Sequence, residues 1–129
     1  MKIDHIALFC RDLEGMRSFF MHFFAAQSND LYHNPRTGLR TYILSFPDGE
    51  TRLELMNRPD VQEGRVDESL HLGYIHVSMS VGSKERVDNL TALLVKDGYQ
   101  LLSGPRTTGD GYYESCIVGP EGILIEITE

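Results

Sequence analysis

The chain has 129 residues, of which 41% are hydrophobic and 24% are charged. This size and composition are those of one ordinary globular domain, and they exclude a disordered or fibrous protein. The formal net charge of −7 at pH 7 disfavours nonspecific binding to nucleic acid or to anionic membranes, so a small-molecule partner is expected.

The N-terminal segment is the first place where a targeting signal would show. The sequence MKIDHIALFCRDLEG lacks the uninterrupted apolar run of a signal peptide, and no window reaches the ~18 apolar residues needed to cross a bilayer. We therefore expect a cytoplasmic protein. Its two cysteines, Cys10 and Cys116, are too few for a disulfide framework and are expected to be small buried side chains.

The first predicted elements are a strand within KIDHIALFC and a helix that follows it. Alternation along the strand places His5 on the face opposite to Ile6, Leu8 and Cys10. Asp12 is a good N-cap, and the residues after it place apolar side chains at helical spacing. The predicted core face of this helix comprises Leu13, Met16, Phe19, Phe20 and Phe23.

A less regular strand near residues 30–33 and a hairpin follow the helix. The hairpin, TYILSFPDGETRLELM, turns at residues 47–49, where Pro, Asp and Gly favour a tight turn. Its second strand carries one carboxylate, Glu54, between two leucines. Residues 58–72 are rich in polar and turn-forming side chains, so we predict a linker there.

The second half of the chain repeats the first. A shift of 71 positions places His5 on His76 within GYIHVSMSV, and places Asp12 on another good N-cap, Ser83. The second helix is predicted to end near Gly98. Its predicted core face comprises Val87, Leu90 and Leu94.

The repeat extends to the end of the chain. A less regular strand is predicted near residues 100–103, and the hairpin YYESCIVGPEGILIEIT turns at residues 120–122. Its last strand carries Glu126 between two isoleucines, which matches Glu54 at a shift of 72 positions. The extra position is a slip that a hairpin loop absorbs easily.

The fold class predicted from this order is α+β. We expect one domain over residues 1–129, built from two β-α-β-β-β modules at about 1–57 and 73–129 that are joined by the linker of about 58–72. Each helix should pack on one side of a largely antiparallel sheet.

Four polar side chains stand at matched positions of the repeat: His5, Glu54, His76 and Glu126. A lone carboxylate in an aliphatic strand is costly to bury unless it is paired. If a pseudo-twofold axis relates the modules, two imidazoles and two carboxylates converge and suit Zn²⁺, Ni²⁺, Co²⁺, Mn²⁺ or Fe²⁺. The other histidines, His22, His33 and His71, lack repeat partners and are expected to be surface or loop residues.

The duplicated pattern resembles the vicinal oxygen chelate superfamily, and within it the glyoxalase I-like proteins. The resemblance covers essentially the whole chain and rests on the histidine strands DHIAL and YIHVSMSV, the glutamate strands LEL and IEI, and the turns PDG and PEG. It implies a cup-shaped sheet around a divalent metal, with Zn²⁺ or Ni²⁺ favoured, and a homodimer. It also implies that His5, Glu54, His76 and Glu126 are the metal ligands.

The activity that this resemblance implies is a proton transfer. A hemithioacetal, formed from a 2-oxoaldehyde and a thiol, would bind the metal through its two oxygens and rearrange to an S-(2-hydroxyacyl) thiol. Glu126 would remove and return the proton, with Glu54 as the second candidate base. His5 and His76 would remain ligands.

Other members of the superfamily define the alternatives. Extradiol dioxygenases and fosfomycin-modifying transferases match only His5, His76 and Glu126, whereas methylmalonyl epimerases often have glutamine in place of Glu54. A non-catalytic small-molecule-binding protein is a further alternative. The chain departs from many glutathione-using relatives at Phe9, where they have arginine, and in the loop 104–114. Other contacts for an anionic group could come from Arg40, Arg52, Asn57, Arg58 and Arg106.

Overall fold

The computed structural model describes residues 1–62 and 73–129, and each of these ranges forms a compact unit. The described part of each unit contains one α-helix and one sheet. Most of the predicted linker, residues 63–72, and His71 with it, lies outside the described residues. The description of residues 1–129 as one domain remains a prediction. Within the described ranges, no helix is long and apolar enough to cross a membrane.

The first unit has one helix and five strands. In chain order they are β1 (His5–Phe9), α1 (Leu13–Phe24), β2 (Gln27–Ser28), β3 (Tyr32–His33), β4 (Arg40–Ser45) and β5 (Arg52–Asn57). The sheet order is β1-β5-β4-β2, and β3 also pairs with β4. The pairing of β1 with β5 is parallel, whereas β4 pairs antiparallel with β5, β2 and β3.

The second unit repeats this arrangement with four strands. In chain order it contains β6 (His76–Ser80), α2 (Lys84–Lys96), β7 (Gln100–Thr107), β8 (Tyr113–Val118) and β9 (Leu124–Thr128). The sheet order is β6-β9-β8-β7, with β6 and β9 parallel and the other pairs antiparallel. The predicted α+β class is confirmed: there are two mixed sheets, and antiparallel pairs predominate.

The third element of the first unit differs from its prediction. One less regular strand was expected near residues 30–33, and the structure has two strands of two residues each, β2 and β3, on the same edge of β4. Asn29 lies between them, and its side-chain Oδ1 accepts a hydrogen bond from the Ile43 backbone N–H at 2.7 Å. Because this side chain takes a backbone donor of β4, the ladder is interrupted there.

Both predicted N-caps are confirmed. The Asp12 side chain accepts a hydrogen bond from the Gly15 backbone N–H at 2.9 Å, and the Ser83 hydroxyl accepts one from the Arg86 N–H at 3.3 Å. Helix α2 ends at Lys96, and Gly98 follows with φ of 95°, a left-handed conformation that glycine adopts without strain.

Replacing Asp12 with alanine should lower the free energy of unfolding by about 1 kcal/mol, because the first turn of α1 loses its side-chain acceptor. Urea unfolding monitored by circular dichroism measures this change. Asp12→Asn is the matched control, since an amide oxygen can still accept the bond. An equal loss in both variants would mean that the carboxylate acts through its charge and not as a cap.

The core of each unit lies between the helix and one face of its sheet. In the first unit Phe20, Leu44 and Leu55 are completely buried. In the second unit the completely buried residues are Val87, Leu94, Ile117, Ile125 and Ile127. Two predicted core positions are different. Phe23 is half-buried, and Phe24 is buried in its place; in α2, Leu90 is half-buried, and Thr91 is buried. The buried stripe of α1 advances in steps of three, four and four residues through Leu13, Met16, Phe20 and Phe24, so Phe23 lies at its edge.

The histidine strands begin later than the sequence pattern indicated. The run GYIHVSMSV was expected to be one strand, but β6 starts at His76 and leaves Tyr74 and Ile75 exposed. The partner strand β9 starts only at Leu124, after a 3₁₀ turn at Pro120–Gly122, so the described residues just before His76, 73–75, are not paired with it. The length of the hairpin therefore sets where pairing begins.

Candidate functional site

The first unit brings His5 and Glu54 together on the sheet face opposite α1. His5 pairs with Arg52 across the parallel strands, and Glu54 lies two residues further along β5. The His5 Nε2 atom is 3.7 Å from Glu54 Oε2. The His5 side chain is 43% exposed and that of Glu54 is 21% exposed, so the pair is accessible but partly desolvated.

The second unit reproduces this pair with the same geometry. His76 pairs with Leu124, and Glu126 lies two residues further along β9. The His76 Nε2 atom is 3.7 Å from Glu126 Oε2, and the side chains are 39% and 21% exposed. The two units therefore present equivalent imidazole–carboxylate pairs at equivalent strand positions.

Each pair supplies two of the four ligands that a metal site of this kind needs. Two donor atoms bound to one ion at about 2.1 Å lie roughly 3.0–3.4 Å apart, so a separation of 3.7 Å needs only a small adjustment of the side chains. One imidazole nitrogen and one carboxylate oxygen suit first-row divalent metals. In the part of the chain that the structure describes, no three His, Cys, Asp or Glu side chains form a metal-binding group. Each unit by itself contributes two ligands.

An additional carboxylate orients His5. The Asp4 Oδ2 atom lies 2.9 Å from His5 Nδ1 and also accepts a hydrogen bond from the Arg52 guanidinium. Because a carboxylate can only accept, Nδ1 donates in this contact, and in the neutral imidazole the lone pair on Nε2 is then available for a metal on the side of Glu54. The hydrogen bond from His5 and the contact with Arg52 lower the pKa of Asp4, which keeps this carboxylate charged. Such a partner is typical of metal-binding histidines.

The second unit has a different additional contact, on its carboxylate. The Ser78 hydroxyl donates a hydrogen bond to Glu126 Oε1 at 2.7 Å. On the neighbouring strand β8, Cys116 lies directly opposite Glu126. Burial, together with the nearby charges of Glu126 and Glu114, raises the pKa of the Cys116 thiol, so this thiol is a poor nucleophile at neutral pH.

A further carboxyl group lies beside Glu126. Burial raises the pKa of Glu114, and the negative charge of Glu126 raises it further. Arg106, which faces Glu114 across the β7–β8 ladder, acts in the opposite direction. The face of the second sheet around Glu126 is therefore polar.

Several residues proposed as contacts for an anionic ligand have partners in the fold. The Arg52 guanidinium donates a hydrogen bond to Asp4, and Arg58 forms a bidentate ion pair with Asp60. The Asn57 amide donates to the backbone carbonyls of residues 10 and 11. His22 and His33 are exposed, as predicted. Cys10 is buried as expected, whereas Cys116 is half-buried, because it lies on the polar face of its sheet.

Sequence reasoning missed Asp4 and Ser78, although the repeat contained a signal for both. The shift of 71 positions places Asp4 on Ile75 and Ala7 on Ser78, and at both of these positions a polar residue in one half stands where the other half has an apolar one. Positions where a duplicated pattern differs are therefore informative about how the two halves have diverged.

Comparison with known proteins agrees with this architecture. A family model for the Glyoxalase/Bleomycin resistance protein/Dioxygenase superfamily matches residues 2–127. The chain therefore belongs to this superfamily, and the resemblance found in the sequence is confirmed at that level. The superfamily name covers several chemistries, so membership by itself does not select one of them.

Individual relatives are distant. The uncharacterized protein YqjT of Bacillus subtilis is 29% identical over 133 residues, which cover 97% of this chain and 96% of YqjT. A solved glyoxalase family protein from Bacillus cereus has 22% identity and a TM-score of 0.84, covering 100% of this chain and 93% of that one. The trypanothione-dependent glyoxalase I of Leishmania major has 20% identity and a TM-score of 0.78, with coverage of 100% and 86%. These structural likenesses establish the fold.

Proposed function

We propose that this protein is a metal-dependent lyase or isomerase of the glyoxalase I type. The observation that carries the proposal is the His–Glu pair that occurs in both units at the same strand offset and with the same 3.7 Å separation. A cup that only bound an apolar ligand would gain nothing from a partly buried carboxylate beside an imidazole in each sheet.

The two pairs together are proposed to bind one divalent cation, Zn²⁺ or Ni²⁺ in the first place and otherwise Co²⁺, Mn²⁺ or Fe²⁺. The ligands would be His5, Glu54, His76 and Glu126, contributed by one chain or by the two chains of a homodimer. When bound, such an ion supplies a Lewis acid that stabilises negative charge on the substrate oxygens. The cation also compensates the two carboxylates.

The reaction proposed is the isomerisation of a hemithioacetal, made from a 2-oxoaldehyde and a thiol, to a 2-hydroxyacyl thioester. A glutamate, Glu126 or Glu54, takes the proton from the carbon that bears sulfur and delivers a proton to the adjacent former carbonyl carbon. The hydroxyl on the carbon that bears sulfur also gives up its proton, and the former carbonyl oxygen takes up one to become the 2-hydroxyl. The carbon that bears sulfur thus becomes the thioester carbonyl, and no oxidant or reductant is consumed. His5 and His76 keep their positions throughout.

The partner proposed is therefore a small molecule, and neither nucleic acid nor a membrane surface is expected at a chain of net charge −7. The structural neighbour from Leishmania major is a glyoxalase I, which is consistent with such a substrate. We also propose that the protein is a cytoplasmic homodimer. Its mass by light scattering tests the dimer directly.

The superfamily name includes bleomycin resistance proteins and dioxygenases, so other chemistries on the same scaffold are the second candidates. They are a dioxygenase, an epimerase, an antibiotic-inactivating transferase or a non-catalytic binding protein. A carboxylate at Glu54 as well as at Glu126 favours the glyoxalase type, because two equivalent bases suit a reversible proton transfer between neighbouring carbons.

The deciding experiment is an assay of the protein loaded in turn with each metal. Methylglyoxal is combined with glutathione and with several other thiols, and thioester formation is followed by absorbance. Turnover with at least one thiol supports the proposal. Bound metal without turnover for any thiol would favour the other enzymes, and protein that binds no divalent metal would favour the non-catalytic alternative.

Replacing Asp4 with alanine should weaken zinc binding by about 10–100-fold, because His5 loses the acceptor that fixes its tautomer and orientation. Competition with a chromophoric chelator measures the affinity. Ile75→Ala is the matched control, since Ile75 precedes His76 as Asp4 precedes His5 and is exposed. Equal affinity of the Asp4 variant and the control would show that Asp4 does not support a ligand.

A further inference from the structure

The strand register of the first unit places three large apolar side chains in a row beside the His–Glu pair. Phe9 of β1 lies opposite Met56 of β5, and Thr41 of β4 lies between Met56 and Tyr32 of β3. Met56 is two residues from Glu54 on the same strand, so the row is on the sheet face that carries Glu54. We call Phe9, Met56 and Tyr32 the apolar row.

The apolar row is not part of the hydrophobic core. Phe9 is 51% exposed and Tyr32 is 53% exposed, while Met56 is half-buried. Isolated apolar residues are common on protein surfaces, but neighbouring ones in a row beside polar groups indicate a binding surface.

Polar side chains share this face with the apolar row. His5 and Glu54 form the candidate ligand pair, Ser45 lies at the end of β4, and Thr41 is buried within the row itself. Because β1 runs from His5 to Phe9, the polar side chains concentrate at one end of the strands and the large apolar ones at the other.

The second unit has polar side chains at the equivalent ladder positions. Thr128 lies two residues beyond Glu126 on β9 and is paired with Ser80 and Glu114, and Glu114 is paired with Arg106. Since the second sheet has the corresponding strand order and carries no large apolar residue at these four positions, the fold does not require the apolar row. A ligand explains its presence better than folding does.

We propose that Phe9 is a specificity-determining residue, and that the apolar row binds an uncharged aromatic or branched aliphatic group of the substrate. This inference rests on the proposed function and specifies the class of its substrate. The group belongs to the 2-oxoaldehyde or to the thiol, and from either source it presents the same chemistry to the row.

The spacing along the strands supports this assignment. Residues on one face of a strand are about 6.6 Å apart, so Met56 lies one such step from Glu54, and Phe9 lies two steps from His5. A small molecule held at the His–Glu pair through its oxygens would place a phenyl or isobutyl group within reach of the row. An anionic group at the same place would lose its hydration beside apolar side chains.

The experiment compares two probes that chelate zinc through two oxygens, acetohydroxamate and benzohydroxamate, which carry a methyl and a phenyl group. Calorimetric titration of the zinc-loaded protein gives both dissociation constants. Phe9→Ser introduces the residue type of the equivalent position, Ser80, and Phe9→Leu retains an apolar side chain. Met21→Ser is the matched control, because Met21 is also exposed and apolar but lies on α1, on the other side of the sheet.

Benzohydroxamate should bind the wild type about 10–100-fold more tightly than acetohydroxamate, the factor expected from burying one aromatic ring. Phe9→Ser should reduce this ratio by about tenfold, Phe9→Leu should reduce it less, and Met21→Ser should leave it unchanged. Intrinsic differences between the probes cancel when the ratio is compared between variants. Zinc affinity, measured by chelator competition, should not change, because Phe9 is not a ligand.

Rate measurements on the same variants identify the source of the apolar group. One arm replaces methylglyoxal with 4-methyl-2-oxopentanal at a fixed thiol, and the other replaces 2-mercaptoethanol with phenylmethanethiol at fixed methylglyoxal. In one of the two arms, Phe9→Ser should lower kcat/KM for the more apolar reactant about tenfold relative to the less apolar one.

The same hydroxamate ratio in the wild type and in Phe9→Ser would overturn the proposal. If Phe9→Ser also lowered the mass measured by light scattering, the row would pack against a second copy of the chain instead. Zinc-loaded protein that converts no hemithioacetal would overturn the proposed function, but the hydroxamates would still decide whether the row binds an apolar group, so the two failures are distinguishable. Protein that binds no divalent metal would overturn both.

Discussion

Replacing His76 with alanine should abolish stoichiometric binding of zinc at micromolar concentration, and with it the hemithioacetal isomerase activity. The change removes one of the two nitrogen donors of the proposed site, and a ligand should matter more than a residue that only orients one, for which the loss is about 10–100-fold. We expect the same result for His5→Ala, because the two pairs have the same geometry. Chelator competition and elemental analysis of the purified variants measure the loss.

The matched control is His33→Ala. His33 is also a strand histidine with an exposed side chain, but it has no repeat partner. It should leave zinc affinity within about twofold of the wild type. A loss in only one of the two ligand variants would mean that one unit binds the metal without the other. No loss in either would remove the basis of the enzymatic proposal.

Much of the fold could be predicted because the same pattern of elements occurs twice in the sequence. The N-caps Asp12 and Ser83 and the alternation around each histidine are local signals, and a second copy in register makes chance agreement improbable. The details that failed depend on tertiary context. The start of β6 is set by where β9 begins, and the exchange of Phe23 for Phe24 depends on how α1 rests on its sheet.

The sequence predicted which histidine and which glutamate each unit contributes to the candidate site. The sequence did not show that each histidine strand pairs in parallel with a glutamate strand. This pairing places His5 opposite the residue two positions before Glu54, and His76 opposite the residue two positions before Glu126. The repeat marks Asp4 and Ser78 as positions where the halves differ, but it does not give their hydrogen-bond partners, since a hydrogen bond depends on side-chain rotamers as well as on strand register.

The two units support different members of the His–Glu pair. In the first unit Asp4 contacts the histidine, and in the second unit Ser78 contacts the glutamate. The two copies therefore share the pair itself and differ in the neighbouring side chain that orients it.

Replacing Phe20 with alanine should lower the free energy of unfolding by about 3–5 kcal/mol, which is a large part of the total for a domain of this size. Phe20 is completely buried in α1, and its ring lies 5.3 Å from that of Phe19, 5.8 Å from Phe24 and 6.3 Å from Phe46. Removing it leaves a cavity between the helix and the sheet that carries Glu54, because close-packed neighbours relax only in part. Urea unfolding measures the loss.

Met21→Ala is the matched control for Phe20→Ala. Met21 is the next residue of α1 but is 39% exposed, so its truncation should cost less than about 1 kcal/mol. Phe20→Leu should fall between the two, since leucine fills part of the space. A loss below about 1 kcal/mol for Phe20→Ala would mean that the aromatic cluster collapses into the cavity. In that case α1 can move against the sheet, and the face that holds His5 and Glu54 is less rigid than its packing indicates.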